Sequence, residues 1–98
     1  APPTCILYPD DFAAFGGINA IRERGLHIPA DISIAGYDGI RTARHLEPKL
    51  TTVRQDTEQI GCVAARQLVS LIERPKSTVI EHITISGTVV EGKSVAKI

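Results

Sequence analysis

Ile32-Ser33-Ile34-Ala35-Gly36-Tyr37-Asp38-Gly39 is the stretch that decides the fold. It is apolar nearly throughout and then breaks into a carboxylate flanked by glycines. A continuous apolar run of this length suits a strand of a parallel sheet covered on both faces, here expected over 32–37. Upstream, His27-Ile28-Pro29-Ala30-Asp31 reads as a connecting loop. Before it, a helix is predicted that starts with Asp10 or Asp11 as its cap and runs to about residue 24. A cap carboxylate accepts a bond from an unpaired first-turn N–H and suits the positive helix end. Phe12, Phe15, Ile18/Asn19 and Arg22 recur at helical spacing, and Gly25 is a left-handed terminator. Gly16-Gly17 weakens the helix by roughly 1 kcal/mol per glycine, which suggests close packing against another backbone. Ahead of Pro9, residues 4–8 read as a short buried strand. Strand, helix, strand of these lengths make a βαβ unit.

Downstream, residues 42–46 form a helical turn that stops before Pro48, and 50–54 a third extended piece. Asp56 then caps a helix over 57–73, with Gln59 three residues on as a capping-box variant. Ile60, Val63, Ala64, Gln67/Leu68, Leu71 and Ile72 form its apolar stripe, and Pro75 ends it. Residues 79–86 alternate as a half-exposed strand would. A further β-prone piece follows over 88–91, and 91–98 is a tail. The fold class is α/β.

Composition narrows the function. The chain has 98 residues, eleven acids against eleven bases, and 43% hydrophobic residues, but its only aromatics are Tyr8, Phe12, Phe15 and Tyr37. This suits one small domain with an aliphatic core, of marginal stability alone. Arg22, Arg24, Arg41, Arg44, Lys49 and Arg54 are scattered, without the basic stripe that tracks phosphates. Any DNA-reading part lies outside this chain. Cys5 and Cys62 offer neither a disulfide framework nor ligand spacing and read as small buried thiols in a reducing compartment. His27, His45 and His82 show no metal spacing. No cofactor or metal is expected, and no serine or cysteine has a nucleophile's context. The opening Ala1-Pro2-Pro3 lacks the charged start and apolar run of a secretory signal, and no stretch approaches membrane-spanning length.

Two patterns carry chemistry. Gly87-Thr88-Val89-Val90-Glu91-Gly92-Lys93-Ser94 fits the phosphate-loop pattern G-x-x-x-x-G-K-[ST]. That chemistry needs a helix starting at Lys-Ser; only four residues follow, and the valines suit a strand, so the match is read as chance. The carboxylates Asp10, Asp11 and Asp38 are the stronger signal, because open α/β sheets bind ligands outside the carboxyl ends of their strands. They fit a magnesium-dependent phospho-acceptor site at Asp38, a helix cap, or acceptors for ligand hydroxyls. The first reading lacks a lysine at a further strand end and enough βα units.

Asp-Asp-Phe-Ala-Ala-Phe-Gly (10–16), Arg-Glu-Arg-Gly-Leu-His-Ile-Pro-Ala-Asp-Ile-Ser-Ile-Ala-Gly-Tyr-Asp (22–38) and Glu-Pro-Lys-Leu-Thr-Thr-Val-Arg-Gln (47–55) together resemble the effector-binding core of the lactose/galactose-repressor (LacI/GalR) family of transcription regulators. The resemblance covers nearly the whole chain. It implies the C-terminal fragment of a type I periplasmic-binding-protein-like core, a doubly wound parallel sheet. Residues 1–55 would belong to the C-terminal effector-binding subdomain; 56–98 would hold the helix that crosses to the N-terminal subdomain, the final strands and the tail. Four effector contacts are implied: Asp10, where the family usually has Asn; Asp11; Asp38 of the Gly-Tyr-Asp motif; and Gln55 at the crossover. Gly39 departs from the usual Asp or Asn. Phe12, Phe15, Ala43, His45 and Leu46 fall where family dimers pair. The implied protein is a cytoplasmic, dimeric, non-enzymatic repressor that senses a small molecule such as a sugar. It would bind operator DNA through an N-terminal domain outside this chain, without a membrane. A periplasmic sugar-binding protein of the same fold is the alternative within the resemblance.

Overall fold

The computed structural model describes residues 2–98; Ala1, which opens the Ala1-Pro2-Pro3 segment, lies outside the described residues. The elements in order are β1 (Cys5–Leu7), α1 (Asp11–Glu23), β2 (Ser33–Ala35), a short 3-10 helix (Arg41–His45), β3 (Thr52–Arg54), α2 (Thr57–Glu73) and β4 (Thr88–Val90). They form two compact units. One comprises the chain up to Arg54 together with Thr88–Ile98, the other Gln55–Gly87. The division by sequence grouped 88–98 with the helix. The β3–β4 ladder is the reason these residues join the first unit.

In the first unit β1 and β2 pair in parallel, with Cys5, Ile6 and Leu7 opposite Ser33, Ile34 and Ala35. Past β2 the chain runs parallel to the β3 segment, through the Ala35–Thr51 and Asp38–Arg54 bridges. β4 closes the other side of β3 in antiparallel register, Thr52 opposite Val90. β2 is buried on both faces, as a central parallel strand should be: Ile32, Ser33 and Ile34 are all inside. β1 departs from the buried strand expected there. It is an edge strand on which Cys5 and Leu7 are exposed and only Ile6 turns inward.

α1 starts where the sequence placed it. Asp10 is its cap, in extended conformation, and accepts a 2.7 Å bond from the Ala13 N–H. It ends at Gly25, whose φ of +75° lets the Gly25 and Leu26 N–H groups turn back to the Arg22 and Ile21 carbonyls. The buried face differs from the expected one. Asp11, Ala14, Ile18 and Ile21 face inward, while Phe12 is 69% exposed and Phe15 half-buried. Ala14, Ile18 and Ile21 make the aliphatic core with Ile32, Ile34, Ala43 and Leu50. The double glycine also behaves differently. A Cβ on Gly17 would meet the Tyr8 phenol, a side chain rather than a backbone, and Gly16 has nothing near it.

In the second unit the Asp56 carboxylate accepts from the Gln59 N–H at 3.0 Å and caps α2. The helix stops at Arg74, before Pro75, and Thr78 donates its hydroxyl back to the Ser70 carbonyl. No residue of α2 is buried. Only the first part of its expected stripe, Ile60, Val63, Ala64 and Gln67, lines a groove of about 370 Å³ against Ile83 and Ile85, while Leu68 and Ile72 are exposed. Residues 79–86 do not form the expected strand. They alternate, but find no ladder among the described residues, and an unpaired extended segment is not a strand. Cys5 and Cys62 are both exposed rather than buried. Each lies on the outer side of an element that covers only part of itself.

Candidate functional site

The parallel arrangement brings the ends of three adjacent segments to one edge. The Tyr8 N–H bonds the Ala35 carbonyl, and the Asp11 N–H bonds the Tyr37 carbonyl, each at 2.9 Å. Asp10 and Asp38 therefore leave neighbouring strands side by side. On the far side of β2, Gly36 and Asp38 donate to the Thr51 and Val53 carbonyls, again at 2.9 Å, which carries Arg54 to the same edge. Asp10 and Asp38 are both half-buried. Asp38 has a φ of +112°, a region that side chains other than glycine seldom occupy. Gly39 follows at +71°, and a Cβ there would strike the Arg54 main chain.

Asp11 sits elsewhere. It is 0% exposed. One carboxylate oxygen accepts from the Thr52 hydroxyl at 2.7 Å, the other from the Ile40 N–H at 2.9 Å. Gly36 makes room for it, since a Cβ there would meet Asp11 Oδ1. A group with no exposed surface does not contact a diffusing ligand in this arrangement. The expectation that Asp11 is an effector contact therefore gives way to a framework role: the first residue of a helix points its side chain back over the preceding turn, here into the protein. Its partners are N–H and O–H donors, which suit a bare carboxylate better than a shared cation site does.

Gln55 is half-buried and opens the second unit directly after β3. Sequence reasoning missed Thr52 and Arg54. Period two puts both on one face of β3, Thr52 buried and Arg54 exposed. That alternation was the available signal. What it lacked was the partner of Thr52, on a helix 41 residues away.

The phosphate-loop look-alike is occupied by other work. Its first half is β4. Then the Gly92 N–H donates to Thr51 Oγ1 at 3.0 Å and the Lys93 N–H to the Lys49 carbonyl at 2.7 Å. Ser94 is 0% exposed. Its hydroxyl donates to the Ile34 carbonyl at 2.6 Å and accepts from the Thr51 N–H at 2.8 Å, while its carbonyl accepts from the Ile34 N–H. Ser94 thus splices β2 to the start of β3 where the two strands do not bond directly. A Cβ on Gly92 would hit the Lys49–Leu50 backbone. The pattern encodes a clasp, and its Gly92 and Lys93 N–H groups are already used.

The model of the periplasmic binding protein-like domain matches residues 1–95. The chain belongs to that family. As a periplasmic binding protein-like domain it is 43% identical over 94 residues to the HTH-type transcriptional repressor PurR of Proteus mirabilis, covering 96% of this chain and 27% of that protein. Two solved structures align well. One is a LacI family transcriptional regulator from Enterococcus faecalis with bound ribose, with a TM-score of 0.92, 33% identity, and 100% of this chain and 36% of that one covered. The other is the lac repressor dimer bound to operator and the anti-inducer ONPF, with a TM-score of 0.86, 30% identity, and 97% and 32% covered. The domain is thus a piece of the effector-binding core of LacI-type regulators, and it spans about a quarter of the length of the curated relatives it matches.

Of the residues placed at the dimer surface, Phe12 and His45 are exposed, and Phe15 and Leu46 are half-buried. The Phe12 and Phe15 rings meet edge to face at 5.8 Å. Ala43 is a core residue, 1% exposed. The 3-10 helix turns it inward, and its carbonyl accepts from the Leu50 N–H. Among the described residues no helix is long and apolar enough to cross a membrane.

Proposed function

We propose that this chain is the effector-sensing part of a cytoplasmic, dimeric, non-enzymatic transcriptional repressor that responds to a small molecule, a sugar or sugar derivative. The observation that carries the reading is the placement of two half-buried acidic residues, Asp10 and Asp38, just past the carboxyl ends of neighbouring parallel strands, where open α/β sheets take their ligands. Carboxylates accept from ligand hydroxyls with short, directional bonds, and relatives of this chain have been solved with bound ribose. Gln55 is the third proposed contact, and Phe12, Phe15, His45 and Leu46 the proposed dimer surface. The DNA-reading part is a separate N-terminal domain. The ligand acts by preferring one placement of the effector-binding subdomains over another, and only that difference in affinity shifts the equilibrium.

The test is calorimetry on the whole repressor with a panel of D-ribose, cellobiose and other sugars. Asp38→Ala is expected to weaken the binding sugar about tenfold or more, roughly 1.4 kcal/mol, with little change in melting temperature. Unchanged affinity in a folded variant would reduce Asp38 to a turn residue.

A further inference from the structure

We infer that Asp11 is the positioning residue for Asp38: its main chain and its carboxylate together clamp the turn 37–40 and hold Asp38 at the positive φ from which it meets the ligand. The inference rests on reading the carboxyl edge as the ligand site, but its geometry stands without a ligand.

The turn is held at both ends by one residue. Before Asp38, the Tyr37 carbonyl accepts from the Asp11 N–H; after it, the Ile40 N–H donates to the Asp11 carboxylate, each at 2.9 Å. The other carboxylate oxygen takes the Thr52 hydroxyl at 2.7 Å, which ties the clamp to β3. A backbone state as sparsely populated as the +112° of Asp38 persists only where the surroundings over-determine it. A carboxylate with no exposed surface is tolerated only when hydrogen bonds replace its water. Asp11 meets both conditions at once, and both of its neighbours are donors. Removing the carboxylate altogether would leave the Ile40 N–H and the Thr52 hydroxyl without their buried acceptor, so the clamp depends on this side chain and not on the main chain of α1 alone. Asp10 and Asp11 thereby divide the labour: the first stands on the ligand edge, the second fixes the opposite carboxylate.

The experiment compares Asp38→Gly with Asp38→Ala in two backgrounds, wild type and Asp11→Ala, by urea unfolding of the full chain at one concentration. Both substitutions remove the carboxylate and differ only by the Cβ that a positive φ penalises. In the wild-type background Asp38→Gly should be the more stable of the two, by about tenfold in the unfolding equilibrium constant. In the Asp11→Ala background the ratio should fall to about one or invert, because an unclamped turn relaxes to a negative φ and glycine then carries only its entropic handicap. A ratio that stays near tenfold overturns the inference. Should Asp11→Ala fail to fold, Thr52→Val replaces it, with a ratio reduced at least about threefold expected and an unchanged ratio again overturning it. No ligand enters this measurement. Sugar binding unaffected by Asp38→Ala would sink the site and leave the clamp; a constant glycine-to-alanine ratio would sink the clamp and leave the site.

Discussion

Ser94 shows how much one buried hydroxyl can hold. It donates to the Ile34 carbonyl and accepts from the Thr51 N–H, so Ser94→Ala leaves two main-chain groups without their partner at a buried position. A loss of about 1–3 kcal/mol in chemical unfolding is expected, far above that of a surface serine. Lys93→Ala, by contrast, should leave magnesium–ATP titrations as flat as in wild type, since the neighbouring N–H groups are spent on Lys49 and Thr51. Asp31 is held charged by its own turn. The His27 main-chain N–H, and after it the His27 ring, hold its carboxyl below the ordinary 3.8. Folding therefore favours the charged form. Its contribution is complete above about pH 3.8 and fades as the pH drops through the lower folded value. Asp31→Asn should match wild type in strong acid and fall behind above that range; a constant difference would mean that the bond is not formed in solution.

At the scale of elements, α1 offers a paired test. Gly16 has open space around it, while a Cβ on Gly17 would meet the Tyr8 phenol. Gly16→Ala should stabilise by about 0.5–1 kcal/mol; Gly17→Ala should not, because Tyr8 must shift. Thermal melts of the two variants decide it. Helix ends were legible in the sequence because capping is local: Asp10, Gly25 and Asp56 each act within a few residues of themselves. The inward face of α1 was not, since it turns on Asp11 reaching a threonine 41 residues away. The same distance hid the framework role of Asp11, while Asp10 and Asp38 were readable as strand ends. Residues 79–86 mark the limit of periodicity: alternation describes a strand's faces and says nothing of whether a partner exists.

At the scale of the whole molecule, large apolar side chains are left exposed. In the second unit Leu68, Val69, Ile72, Val79 and Ile80 all face outward, Ile72 at 69% and Ile80 at 81%. Patches of this kind mark association surfaces. Light scattering across a dilution series should give a mass above the monomer that falls on dilution; a monomer with a concentration-independent melt would show that this surface is satisfied in another way. With eleven acids against eleven bases, the chain by itself should show no sequence-selective retardation of DNA at moderate salt.

The Ser94 splice also sets a schedule. Its partner in β2 lies 60 residues earlier, and ribosomes add about 5–20 residues per second. After β2 is made, its open edge waits about 3–12 s for the residue that seals it. Through that interval β2, paired to β1 on its other side, keeps its Ile34 main chain without the partner that Ser94 supplies. Slowed translation between the two codons would lengthen the exposure and raise the fraction of chains lost to aggregates.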